Sequence, residues 1–114
     1  MTAAELATLA LRQLGVIGAN ESADANDQAE ALAAYERYYA ELGERTLATW
    51  DYDDVPTRVQ HPLSMFLAVR LAPLFFSEGR DANAQRAQEA MAERQLMRII
   101  QRRHIGGATE ADYY

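Results

Sequence analysis

The chain reads as all-α: a small bundle of four helices with a central helix kinked or broken at Pro73 and a long fourth helix. Three observations predict this. Apolar residues recur at spacings of three and four in four separate segments. Start and stop signals bracket those segments, among them Thr2 with Glu5, Gly15, Asp24, Pro62 and Asp81. No stretch of useful length alternates apolar and polar residues as a half-buried strand would. The 114 residues suit one domain, which at this size buries about two-thirds of its unfolded surface.

The first helix is predicted over Ala3–Leu14. Thr2 and Glu5 form a capping box, the hydroxyl taking an orphan amide while the carboxylate reaches back. Leu6, Leu9 and Ala10 share a face with Leu14 near it, and Gly15 supplies a left-handed stop. Val16 and Ile17 then fold back onto the helix end. Gly18 to Ala23 is a polar turn. A second helix starts near Asp24 or Asn26 and runs to Leu42, with Gly43 ending it. Leu32, Tyr35, Tyr39 and Leu42 form its apolar stripe, extended by Ala29, and Asp24, Asp27 and Glu30 suit the positive end of its dipole. Tyr38 projects off that stripe and is the first candidate for facing a partner.

Glu44 to His61 is the least regular stretch, holding the single Trp50 and the charged run Asp51-Tyr52-Asp53-Asp54, with Thr46 to Thr49 free to form a short extra turn. The third helix is expected from Pro62, where a missing amide costs nothing. Leu63, Phe66, Leu67, Leu71 and Leu74 give it a strong apolar face. Pro73 lies inside the pattern and frees the carbonyl of Val69, so a kink or break is expected there. Phe75 and Phe76 close the segment before Gly79. The fourth helix runs from its N-cap Asp81 to about Arg103, alanine-rich at first. Leu96, Met97, Ile99 and Ile100 then spread over roughly 160° at ~100° per residue, more than one partner surface needs. Gly106-Gly107 is read as the stop. That divides the chain into a helical domain, 1–104, and a short flexible tail, 105–114.

Composition narrows the function. Cysteine is absent, which removes disulfides and thiolate metal sites. No apolar run reaches the ~18 residues of a membrane span, and the N-terminal segment lacks the basic start of a secretory signal. A soluble protein made in the cytoplasm is expected. All eleven basic residues are arginine, the cation suited to bidentate contacts at interfaces. Charge is split along the chain: ten acids and two arginines lie between Glu21 and Asp54, six arginines and three acids between Arg80 and His104. Either the two segments neutralise each other inside one bundle, or copies attract one another head to tail, a heterologous contact that can close into a ring.

Catalytic chemistry is not visible. His61 and His104 lack metal-ligand spacing. Asp51, Asp53 and Asp54 lack the turn glycine and distal glutamate of a calcium loop, and Pro56 intrudes. No nucleophile elbow, phosphate loop or dinucleotide fingerprint occurs. Arg94, Arg98, Arg102 and Arg103 make a basic stretch, but a pI near 4.8 disfavours nonspecific duplex binding. No cofactor, metal or catalytic residue is expected.

The run Ala10-Leu11-Arg12-Gln13-Leu14-Gly15-Val16, then Ala29-Glu30-Ala31-Leu32, Trp50, and Ala68-Val69-Arg70-Leu71-Ala72-Pro73 resembles, in order and spacing, the head-to-tail adaptor (head completion, or packaged-DNA-stabilisation) proteins of tailed bacteriophages, especially the short-tailed type. The resemblance spans about residues 4–100. It implies a helical virion protein at the head–tail junction that assembles as a ring, typically of about twelve copies, beneath the portal protein. Such a ring extends the DNA channel, helps retain packaged DNA without binding it specifically, and carries a downstream tail or nozzle protein. No catalytic residue transfers. By the resemblance Arg70 precedes the Pro73 break and pairs with an acid in its own chain or across a subunit boundary, or is an ordinary surface arginine. Trp50 is a lid over the bundle or a partner contact. Family members carry a longer C-terminal arm for the portal; here Tyr113 and Tyr114 end a short tail that either docks or frays. Tyr38, Trp50, Tyr52, Arg70, Arg94, Arg98, Arg102, Tyr113 and Tyr114 are the candidate portal or subunit contacts. The alternative is a small helical regulatory module binding protein or DNA.

Overall fold

The computed structural model describes residues 1–45, 50–76 and 81–113, with side chains to residue 101. It is all-helical among these residues, a small four-helix bundle: α1 Ala3–Leu14, α2 Ala25–Glu44, α3 Thr57–Phe75 and α4 Ala82–Tyr113. α3 is the hub and packs against each of the other three. α1 also packs on α2, whereas among the described residues the backbone of α4 approaches that of α3 alone.

α1 forms as its ends dictate. The Thr2 hydroxyl accepts from the Glu5 amide at 3.1 Å and the Glu5 carboxylate accepts from the Thr2 amide at 2.9 Å. This holds the Glu5 carboxyl below its ordinary range. Gly15 turns left-handed at φ 88°. The Gly15 and Val16 amides then return to the Leu11 carbonyl, closing the helix as left-handed caps do. Leu6, Ala7, Ala10 and Leu11 are buried and Leu9 is not. The inward face is thus turned from Leu9 toward Leu11, because α1 rests in the angle between α2 and α3.

α2 starts at Asp24, whose carboxylate accepts from the Asn26 amide, and runs through Gly43 to Glu44. Glycine stops a helix by turning left-handed; Gly43 does not, and Gly15 alone among the described glycines does. The same reasoning corrects the C-terminus. α4 does not stop at Gly106-Gly107 but continues through them to Tyr113. A glycine inside a helix costs only about 1 kcal/mol, and Ala108, Glu110 and Ala111 beyond it favour helix. At ~48 Å, α4 exceeds α3 by about 20 Å. The Cα radius of gyration is accordingly 15.2 Å, above the ~13 Å of a compact chain this long.

α3 also departs from expectation. It begins at Thr57, five residues before Pro62, and runs through Pro73 to Phe75 without breaking. Each proline deletes one helical hydrogen bond. At Pro73 the orphan is the Val69 carbonyl, and Gln85 of α4 donates its Nε2 to it at 2.6 Å. A neighbouring side chain thus replaces the missing amide, and the helix survives. The possible turn at Thr46–Thr49 and the closure at Gly79 lie outside the described residues.

This pairing makes a double-mutant cycle informative. Gln85→Ala should cost about 1 kcal/mol in urea unfolding, and markedly less beside Pro73→Ala, whose restored amide serves Val69 itself. Equal costs in both backgrounds would show that Gln85 acts otherwise.

Candidate interaction surface

The aromatic residues of α2 organise one flank of the molecule. Tyr35 and Tyr38 are fully buried, and Tyr39 is half-buried. The Trp50 indole donates to the Tyr35 hydroxyl at 3.2 Å, which in turn donates to the Tyr52 carbonyl at 2.8 Å. The Tyr39 hydroxyl donates to the Trp50 carbonyl. Tyr52 lies over Tyr35 with ring centroids 4.8 Å apart and 17° between planes, and Tyr39 meets both Trp50 and Tyr52 edge-on. Three α2 and loop hydroxyl and indole groups therefore fasten the irregular 50–55 segment to the bundle. Trp50 is buried as a lid over the bundle. The segment also ties down the N-terminus. Asp53 accepts from the Ala3 amide at 2.9 Å, adding a cap to α1, and Val55 donates to the Met1 carbonyl at 2.8 Å.

Tyr38 corrects a second expectation. It does not project off the bundle; its ring is packed on Phe66 at 4.4 Å and its hydroxyl donates to Glu93 of α4 at 2.9 Å. α2 is covered by α1, α3 and, through side chains, α4, so its buried arc is wider than the single stripe seen in sequence. Arg45 joins the same Glu93 oxygen at 3.1 Å. Glu93 thus bridges two helices whose backbones do not meet, a role that no periodicity in the sequence signals. Arg70 pairs with Glu41 of its own chain at 3.1 Å, and its guanidinium lies 4.9 Å from the Phe66 ring centroid and 5.4 Å from that of Tyr38. It is a stay between α2 and α3. Leu96 and Ile100 are buried, and Met97 and Ile99 pack at the edge of the same core, so all four serve the bundle.

Arg94 and Arg98 are exposed and make no ion pair with a described residue. Tyr52 is half-buried. Burial raises its hydroxyl pKa first, then the carboxylates of Glu36 and Asp53. Arg102 and Tyr113 lie on the backbone of α4; their side chains, that of His104, and Tyr114 are outside the described residues. His61 is exposed, with Nδ1 3.4 Å from Gln13 Nε2.

Sequence reading missed an apolar groove of about 280 Å³ between the end of α1, α3 and α4. Ala68 and Ala72 are buried at its floor, with Leu14 and Val69 beside them and Met65 and Phe76, 40% and 45% exposed, further along α3. The available signal was the spacing Met65, Val69, Ala72, Phe76, one line along the helix opposite Arg70.

Among the described residues no cluster of histidine, aspartate and glutamate is placed to hold a metal ion, and no helix is long and apolar enough to cross a membrane. Comparison with known proteins finds no matching family model, no matching curated protein and no matching solved structure.

The buried phenols predict alkaline unfolding. Burial, outweighing the Trp50 hydrogen bond, pushes Tyr35 up to about 12; burial and then the Glu93 carboxylate raise Tyr38. A folded-state pKa above the unfolded value near 10 means that the folded chain holds its protons longer. Stability is therefore complete below pH ~10 and lost as pH rises toward 12. Tyrosinate absorbance from Tyr35 and Tyr38 should appear together with loss of helical ellipticity. Ionisation of all six tyrosines with the helices intact would contradict their burial.

Proposed function

We propose that this chain is a structural virion protein, a ring-forming adaptor between the portal and the tail of a bacteriophage. The observation that carries the reading is where the segments of the resemblance fall. Ala10–Val16 contains the left-handed stop of α1. Ala29–Leu32 lies on α2, and Trp50 is the lid fastened to it. Ala68–Pro73 is the part of the hub that holds the Arg70–Glu41 pair and the Val69 carbonyl closed by Gln85. The segments shared in order are thus the ones on which this fold is built, which supports common architecture over a chance match of helical words.

On this reading a dozen or so copies seat on the portal and carry a tail or nozzle protein, within the virion once assembled and in the host cytoplasm before that. Packaged DNA passes through the ring. A net charge of −6 suits such a passage, since negative walls repel phosphates. The exposed groove, a few hundred Å³ lined by Leu14, Met65, Val69 and Phe76, is of the apolar kind that marks a protein contact. A regulatory module binding protein or DNA is the competing reading, and it has no reason to join a portal.

Mixed with the portal of the same phage, the chain should add as a ring of roughly twelve copies, read by native mass spectrometry. Particles assembled without it should leak packaged DNA. A portal that gains no mass would end the reading.

A further inference from the structure

Two charged surfaces of opposite sign stand without partners among the described residues. The first surrounds Tyr52. Glu36 follows Tyr35, on whose ring Tyr52 is stacked, and Asp53 follows Tyr52; both acids are exposed, as are Asp51 and Asp54, joined in one turn beside it. One oxygen of Asp53 is engaged by the Ala3 amide, and the Met1 ammonium, held on the Val55 carbonyl, is the near cation. Tyr52 itself has one ring face on Tyr35 and remains half-open to solvent. The second surface is the row Arg94 and Arg98, one turn apart on α4, both exposed while Leu96 and Ile100 between and beyond them face the core.

Among the described residues no ion pair or hydrogen bond joins the two within one chain. Residues 51–55 are bound to α1 and α2, whereas α4 packs on α3. Among the described residues the ion pair linking the end of α2 with α4 runs in the other sense, from Arg45 of the acidic segment to Glu93 of the basic one. Intramolecular neutralisation of the charge split is therefore not what the described residues do.

We propose that the Tyr52-centred acidic surface of one copy receives Arg94 and Arg98 of a second copy. The chemistry is matched: guanidinium groups give carboxylates two parallel hydrogen bonds and stack on aromatic faces. The two surfaces are different parts of the molecule, so the contact is head to tail and leaves the first copy with its basic surface unused and the second with its acidic surface unused. Exposed pairs are individually weak, so the association depends on concentration and falls with salt. Closure of such contacts into a ring rests on the adaptor reading; the pairing itself does not.

The test is a charge swap followed by sedimentation velocity at low ionic strength, with folding checked by circular dichroism. The wild-type chain should self-associate, and added salt should reverse it. Arg94→Glu with Arg98→Glu should weaken self-association by roughly tenfold or more, and Arg94→Gln with Arg98→Gln by less. Glu36→Arg with Asp51→Arg should do the same from the other side, Asp53 being left in place because it caps α1. An equimolar mixture of the two reversed proteins should associate where neither does alone. A wild-type chain that stays monomeric at low ionic strength, a reversed arginine pair that associates as tightly as wild type, or a mixture that sediments as its separate components overturns the pairing. Portal capture on the same samples separates this from the adaptor reading. A failed mixture beside intact wild-type capture overturns the pairing alone, whereas an associating mixture that no portal captures supports the pairing and leaves the adaptor reading without its partner.

Discussion

The structure depends on packing α3 against the other three helices while keeping its backbone satisfied. This helix contains two prolines, and at Pro73 the constraint is met from outside the helix. Gln85 comes from the start of α4 to the Val69 carbonyl, and that start is itself positioned by Asp81, whose carboxylate accepts from the Asn83 amide. The same hydrogen bond that repairs α3 therefore sets where α4 begins on it. Leu96 and Ile100, three and four turns further along, complete the docking by burial. Elsewhere on α3 the buried Ser64 hydroxyl finds the His61 carbonyl within the helix, so it adds no orphan group to the core.

α2 solves a related problem with tyrosines. Phenylalanine could fill the same volume, but the volume lies against an irregular segment and against a helix that does not touch α2 by its backbone. Tyr35 and Tyr39 use their hydroxyls to hold the carbonyls of Tyr52 and Trp50, groups that no sheet or helix would otherwise satisfy. Tyr38 reaches Glu93 across the gap to α4. Burial and hydrogen bonding are thus combined in single side chains, which is what makes aromatic residues with a polar tip effective at such seams. The result is a loop fastened from beneath, with its carboxylates turned outward.

That arrangement separates the inside of the molecule from its assembly surfaces. Glu41, Arg70, Arg45 and Glu93 are spent on joining helices, while Arg94, Arg98, Glu36, Asp51 and Asp54 are left exposed. A protein whose task is to stand between other proteins needs stiff interior contacts and unlike exterior ones. The proposed adaptor role and the proposed pairing of copies both follow from this division, the first through the segments that build the hub and the second through the charges that the hub leaves outside.

Local chemistry made much of the fold legible. The capping box at Thr2 and Glu5, the left-handed Gly15 and the caps at Asp24 and Asp81 act within a few residues of themselves, so the order of helices could be read without a fold. The orphan at Val69 was legible too, because proline always deletes the same bond. What filled it was not: Gln85 is one polar residue among many on an alanine-rich stretch, and only the packing of α4 on α3 selects it. The same limit explains Tyr38, Leu9 and the helical path through Gly43. In each the residue's own preference is worth about 1 kcal/mol or less, and the neighbours decide. Charge segregation is written in the order of residues. Whether opposite charges meet inside the chain or remain outside depends on which helices touch, and that is settled only when three of them close around the fourth.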